Sequence, residues 1–122
     1  MSSVTISPPN GILFVFDPTN KNVDVPSYVD GELTASTTTC ISVGTQAPSD
    51  GETTVTLSVS DDPVMGMQHV FSGVLSTSGT LAVVTAELKK ILELTVSKGN
   101  IGVSIWVDDL RNPSQIVINC SS

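Results

Sequence analysis

His69 is the chain's one histidine, so general acid–base chemistry near neutral pH, or a Ser–His pair, would have to run through it. It follows Gln68 and precedes Val70, and no G-x-S-x-G nucleophile elbow stands elsewhere to partner it. P-loop, G-x-G-x-x-G and H-E-x-x-H patterns are also absent. The residues therefore read as a bystander histidine in a protein that is not an enzyme, with no cofactor expected.

Carboxylates offer the next candidate chemistry. Asp61-Asp62 and Asp108-Asp109 each precede a loop. If the fold brings those loops to one end, Asp61, Asp62, Asp108 and Asp109 could converge on Ca²⁺, a hard cation that takes about six to eight oxygen ligands. The spacing is not that of an EF-hand, and Asp commonly ends strands because it caps turns. A carboxylate pair for glycoside hydrolysis fits less well, since a sugar cleft is usually aromatic and Trp and Tyr occur once each.

Cys40 and Cys120 are too few and too far apart to suggest a zinc site with a lone histidine. Alternation turns Cys40 to the side of Ser42, away from Ile41 and Val43, while Cys120 shares a side with Ile116 and Ile118. One thiol outward and one inward predicts two reduced cysteines rather than a disulfide. No apolar run approaches the roughly 18 residues that span a bilayer, and no basic-then-apolar leader opens the sequence. The expectation is a soluble, cytoplasmic protein.

Charge points to a partner. The net charge is −7, and its placement is uneven. Asp17, Asp24, Asp30, Glu32, Asp50, Glu52, Asp61 and Asp62 face only Lys21 in the first half of the chain, whereas acids and bases balance in the second. Such a field repels nucleic-acid phosphates and anionic membranes and favours a basic protein surface. The plain alternative is that the charge serves solubility. Met65 and Met67, flexible side chains around Gly66, suit an adaptable contact or a core gap. Trp106 falls on the parity opposite its aliphatic neighbours, which suits an interface anchor unless the 17–31 segment covers it. The candidate partner-binding residues are thus Asp24, Asp30, Asp61, Asp62, Met65, Met67 and Trp106.

Strands must position these groups. Of 122 residues, 39% are apolar, mainly aliphatic, and only 14% are charged, the composition of half-buried strands rather than of disorder. Ile12-Leu13-Phe14-Val15-Phe16 is a short apolar run between turn residues, read as a strand buried on both faces. Residues 17–31, with Pro18, Asn20, Asn22, Pro26 and Gly31, read as the longest loop. Residues 37–45 form a strand around Ile41 and Val43, and Asp50-Gly51 reads as a hairpin turn into the alternating segment Thr53 to Ser60. Residues 68–76 form another strand, with a bulge or close backbone approach expected at Gly73. After Leu81–Val84 come a helical turn at 85–90 and a strand at 91–97. Lys98-Gly99-Asn100 reads as a hairpin turn into the alternating run from Ile101 to Val107, and 115–120 is the last strand.

The spacing predicts one domain over residues 1–122, all-β, an antiparallel β-sandwich or barrel of about seven or eight strands with at most one short helical turn. The function class that fits is a non-catalytic protein-interaction domain, such as an inhibitor or immunity-type protein setting acidic residues against a basic partner. Two alternatives stand beside it. One is a structural β-module that self-associates as a homo-oligomer through open strand edges. The other is a small-ligand or Ca²⁺-binding β-domain.

Overall fold

Alternation writes the layers. In Thr53–Val59, Gly99–Val107 and Gln115–Cys120, aliphatic residues take one side and hydroxyl-bearing residues much of the other. The computed structural model describes residues 2–27 and 31–121 and folds them into a two-sheet β-sandwich. The strands are β1 (Ser2–Ile6), β2 (Ile12–Phe16), β3 (Thr34–Ser36), β4 (Cys40–Gly44), β5 (Thr53–Val59), β6 (Gln68–Thr77), β7 (Thr80–Thr85), β8 (Lys90–Thr95), β9 (Gly99–Val107) and β10 (Gln115–Cys120). The first sheet has the order β1-β5-β10-β9-β6 and the second β3-β4-β2-β7-β8. Pairing is antiparallel throughout except for β5 with β10, which run parallel.

Between the sheets lies an aliphatic layer that includes Leu13, Val15, Ile41, Val43, Val55, Leu57, Val103, Ile105, Ile116 and Ile118, all buried. Each such side chain contributes about 1.5–3 kcal/mol relative to exposure, so this layer supplies most of the drive to fold. No helix among the described residues is long and apolar enough to cross a membrane.

Among the described residues ten strands replace the expected seven or eight. The additions are β1, an edge strand with only Val4 and Ile6 as aliphatic signals, and β3, a three-residue strand paired with β4. Asp50-Gly51 and Lys98-Gly99-Asn100 do not close hairpins. Each leads from the second sheet to the first, β4 to β5 and β8 to β9. Both glycines do take the positive φ that turn chemistry demands, 132° at Gly51 and 118° at Gly99. The 85–90 segment makes a tight turn closed by Leu88 N–H to the Thr85 carbonyl at 2.9 Å, and helical geometry appears instead as single 3₁₀ turns at Pro9–Gly11 and Pro48–Asp50. Strand β6 shifts register between His69 and Phe71, not at Gly73. At Gly73 the close approach is that of the Phe71 ring, which a Cβ would meet at 2.6 Å.

Both thiols are free and buried. Cys120 joins the core as expected. Cys40 has outward parity yet is fully covered, and its neighbour there is Asp24 on the 17–27 segment. Burial, with the Asp24 charge behind it, pushes the Cys40 thiol up to about 12, and burial pushes Cys120 up to about 11.

One acid ties the sheets together. Asp17, just past β2 in the second sheet, is 3% exposed. Its Oδ1 accepts from the Thr19 N–H at 2.9 Å and the Thr19 hydroxyl at 2.7 Å. Its Oδ2 accepts from the Ser78 N–H at 2.8 Å and the Ser78 hydroxyl at 2.6 Å, in the link from β6 to β7. Burial alone would raise this carboxyl's pKa, but the bonds from Ser78 and Thr19 overcome it and hold the group well below the usual carboxylate range. A lowered folded-state pKa means stability that is present above the unfolded value of about 3.9 and lost as pH falls through the acid range. Asp17→Asn, whose Nδ2 cannot accept from Ser78, should lose about 1–3 kcal/mol at neutral pH. Urea unfolding should also show a flatter decline of stability below about pH 5 than in the wild type, and an unchanged acid slope would contradict this role for Asp17.

Candidate functional site

Register on the outer side of the first sheet sets the site. One row across the strands reads Ser3, Thr56, Val117, Trp106, His69, and the next reads Ser58, Asn119, Ser104, Ser72. Alternation explains the hydroxyls, since the other parity of each strand is committed to the core. The register shift in β6 explains the histidine. His69 and Phe71 would share a side in a regular strand, but the irregularity leaves His69 beside Trp106 while Phe71 packs against the core. The two outward rings lie 4.6 Å apart, tilted by 31°.

A strap crosses this floor. Because β5 parallels β10, and β9 and β6 reverse in turn, β5 ends at one end of the sheet and β6 begins at the other. Residues 60–67 therefore run over the outer side of β10 and β9. Asn119 Nδ2 pins them by donating to the Asp62 carbonyl at 3.3 Å, and the Ser58 hydroxyl donates to Asn119 Oδ1 at 2.6 Å. Both Ser58 and Asn119 are buried as a result. The Met67 N–H reaches the Val64 carbonyl, and Gly66 with φ 78° completes that turn, leaving Met65 92% exposed. Met67, where the strap joins β6, is half-buried.

Beneath the strap is a cavity of about 200 Å³ lined by Asp61, Asp62, His69, Ser104, Trp106 and Asn119 among others. On the strap's other flank a more open groove of about 580 Å³ runs past Thr56, Val64, Met65 and Val117. Trp106 is half-buried and lines one cavity with Asp61 and Asp62 of the strap, whereas Asp24 of the 17–27 segment lies by the second sheet. Its indole Nε1 is the one buried side-chain nitrogen or oxygen without a hydrogen-bond partner among the described residues. Asp61 and Asp62 are exposed, and no hydrogen bond or ion pair reaches either carboxylate among the described residues.

The sequence candidates do not form one patch. Asp61, Asp62, Met65, Met67 and Trp106 gather at the strap and the sheet beneath it. Asp24 sits on the second sheet, where its N–H donates to the Thr39 hydroxyl at 2.9 Å and its carbonyl accepts from the Thr37 hydroxyl at 2.5 Å. Asp30 lies outside the described residues. The acidic first half is also divided in space, because alternating strands carry neighbouring loops to opposite ends. Asp50 and Glu52 flank the start of β5, Asp61 and Asp62 follow its end, and Asp17 is buried.

The four carboxylates proposed for Ca²⁺ do not converge. Asp108 follows β9 at the end of the sheet where β5 and β10 begin, opposite the end where Asp61 and Asp62 leave β5. Asp108 and Asp109 are instead turned into their own loop. Asp108 accepts from the Ser114 and Gln115 N–H groups and the Ser114 hydroxyl, and Asp109 Oδ1 accepts from the Arg111 and Asn112 N–H groups. Burial opposes ionisation of Asp108, but those bonds outweigh it and lower its pKa. Among the described residues no group of three or more His, Cys, Asp or Glu could hold a metal ion. Millimolar Ca²⁺ should accordingly leave the melting temperature unchanged in a thermal scan, and a rise of several degrees would mean that a cation site exists.

The structure brings Trp106 and the Asp61-Asp62 pair together and surrounds them with Ser104, Asn119 and the His69 ring, with Ser58 bonded to Asn119, surroundings that the sequence reading did not assign. Parity alone marks Ser104 as outward. No sequence signal places Asn119 beneath Asp62. No family model matches the chain, and none of the curated proteins matches it. Among solved structures it is similar to the crystal structure of ComJ, inhibitor of the DNA degrading activity of NucA, from Bacillus subtilis. The TM-score is 0.74 at 14% identity, covering 100% of this chain and 96% of that chain, a likeness of fold over the full length.

Proposed function

We propose that this domain is a non-catalytic inhibitor that binds a basic DNA-degrading nuclease, with the strap and the outer side of the first sheet as its contact surface. The observation that carries the reading is the full-length likeness in fold to a nuclease inhibitor. The chemistry of the surface agrees with it. A nuclease must present positive charge to hold phosphates, and a protein of net charge −7 is attracted to the same surface. Asp61 and Asp62 are free to meet such charges, Met65 adds an adaptable apolar contact, and Trp106 lies beside them as the one large aromatic of the site. The paired strands fix the floor of this surface, and Asn119 ties the strap to it at the Asp62 carbonyl. We place its action in the cytoplasm, where free thiols such as Cys40 and Cys120 persist.

The test is a DNA-degradation assay on nucleases of the source cell, fractionated by cation exchange and titrated with the domain. One fraction should lose its activity at stoichiometric addition. Inhibition should weaken by about tenfold or more in Asp61→Asn/Asp62→Asn, and should fall with added salt. DNA degradation at an unchanged rate in every fraction would end this reading.

A further inference from the structure

We propose that the open edge of β6 receives an extended, basic segment of the protein partner as an added strand. The inference rests on the reading of the domain as a protein-binding inhibitor and names how it holds its target.

Main-chain groups point to alternate sides along a strand, so β6 offers half of them to β9 and half to the outside of the sheet. The Ser121 N–H donates to the Gly102 carbonyl at 2.9 Å, which turns Gly102 toward β10 and its neighbours Ile101 and Val103 toward β6. Leu75 and Gly73, their partners, therefore bond to β9, while Ser72, Val74 and Ser76 direct their N–H and C=O groups away from the sheet. Ser76 agrees, since its N–H donates to the Thr38 carbonyl at 2.9 Å. No other described residue bonds to the outward N–H or C=O of Ser72 or Val74. Both residues are exposed, Val74 at 56%.

Strand edges are usually blunted by shortness, charge or proline. At the other three edges, β3 has three residues, β1 has five, and β8 carries Lys90 and Glu93. β6 has ten residues with no lysine, arginine, carboxylate or proline. The irregularity after His69 and the Thr38 contact at Ser76 confine its opening to the stretch between them.

That confinement selects the occupant. A strand that paired with Ser72 and Val74 and ran on past Ser76 would enter the space of Thr38. A second copy of the ten-residue β6 therefore does not fit, and a short extended segment does. Main-chain bonds of this kind give affinity whatever the sequence, and side chains beside the edge give selectivity. Ser72 and Gly73 line one cavity with Asp61 and Asp62, and His69 is the one basic side chain in its wall. Two carboxylates against one imidazole, in a chain of net charge −7, favour lysine or arginine on the outward side of the segment.

Two experiments test this. Val74→Pro deletes an N–H that no strand of the fold uses, at an edge where proline is tolerated. It should melt within a few degrees of the wild type yet weaken inhibition of the responsive nuclease fraction by about tenfold or more. Val74→Ala keeps the N–H and should stay within about threefold. Inhibition unchanged in Val74→Pro, or lost equally in Val74→Ala, would overturn the proposal. So would a concentration-dependent dimer of the wild type that Val74→Pro abolishes, since the edge would then belong to a second copy. The second experiment titrates ¹⁵N-labelled domain with the peptide acetyl-Arg-Val-Thr-Val-Arg-amide, with the same peptide N-methylated along its backbone, and with its glutamate counterpart. The first should shift the Ser72 and Val74 amide resonances saturably, at least about tenfold more tightly than the other two. Resonances that it leaves unmoved, or that the methylated peptide moves equally, would overturn the added strand, and equal binding of the glutamate peptide would overturn its basic character. Should Val74→Pro fail to fold, this titration decides alone. It needs no nuclease, so peptide binding without inhibition of any nuclease would remove the inhibitor reading and leave the edge site. Inhibition retained in Val74→Pro would remove the edge site and leave the inhibitor.

Discussion

Two sheets press a layer of valine, leucine and isoleucine between them, and each strand commits alternate side chains to it. In the second sheet the other half of β4 and β7 is buried as well, with Cys40, Ser42, Ala82 and Val84 covered, but in the first sheet much of it is free to carry almost anything that tolerates water. In the first sheet that freedom is spent on Ser3, Thr56, Ser104 and Ser72, and on the single Trp106–His69 pair. A one-residue slip in any strand would invert both faces, losing several buried aliphatic groups at about 1.5–3 kcal/mol each. Register on the outer face is fixed for that reason, although the outer face itself contributes little to stability. Where the rule is broken, at the irregularity after His69, the break adds a second ring beside Trp106.

Much of the fold was legible because period two is a local signal. The inward sets Val55 and Leu57, Val103 and Ile105, and Ile116 and Ile118 follow directly from alternation, and so does the outward Trp106. Connectivity was not legible in the same way. Asp50-Gly51 and Lys98-Gly99-Asn100 have good turn chemistry, but turn chemistry says only that a chain bends. In both places it bends from one sheet to the other. β1 escaped notice because an edge strand needs only one partner and can hold its place with two aliphatic residues. The strap was the largest omission. Asp61 to Met67 reads as an ordinary loop, and only the parallel pairing of β5 with β10, residues far apart in sequence, shows that the loop must traverse the sheet.

The same distance between sequence and space reshapes the electrostatics. Clustering of acids in the first half of the chain suggested one acidic face. Antiparallel strands distribute neighbouring loops between the two ends of the sandwich, so the cluster is dispersed. Some of those acids are spent on structure, as Asp17 is at the sheet junction. Asp61 and Asp62 stand out because they lie over a floor that carries hydroxyls, an indole and an imidazole but no lysine or arginine.

The position of β10 has a consequence for when the molecule comes into being. β10, the last in chain order of the ten described strands, is also the central strand of the first sheet, between β5 and β9. Ser58 must wait for Asn119, 61 residues later, before the bond that supports the strap can form. Until β10 leaves the ribosome, β1–β5 and β9–β6 are two separate fragments of a sheet, each with exposed edges. The outer face of the first sheet is therefore completed only when β10 takes its central place. A chain interrupted before β10 would carry the acidic strap without Asn119 to hold it.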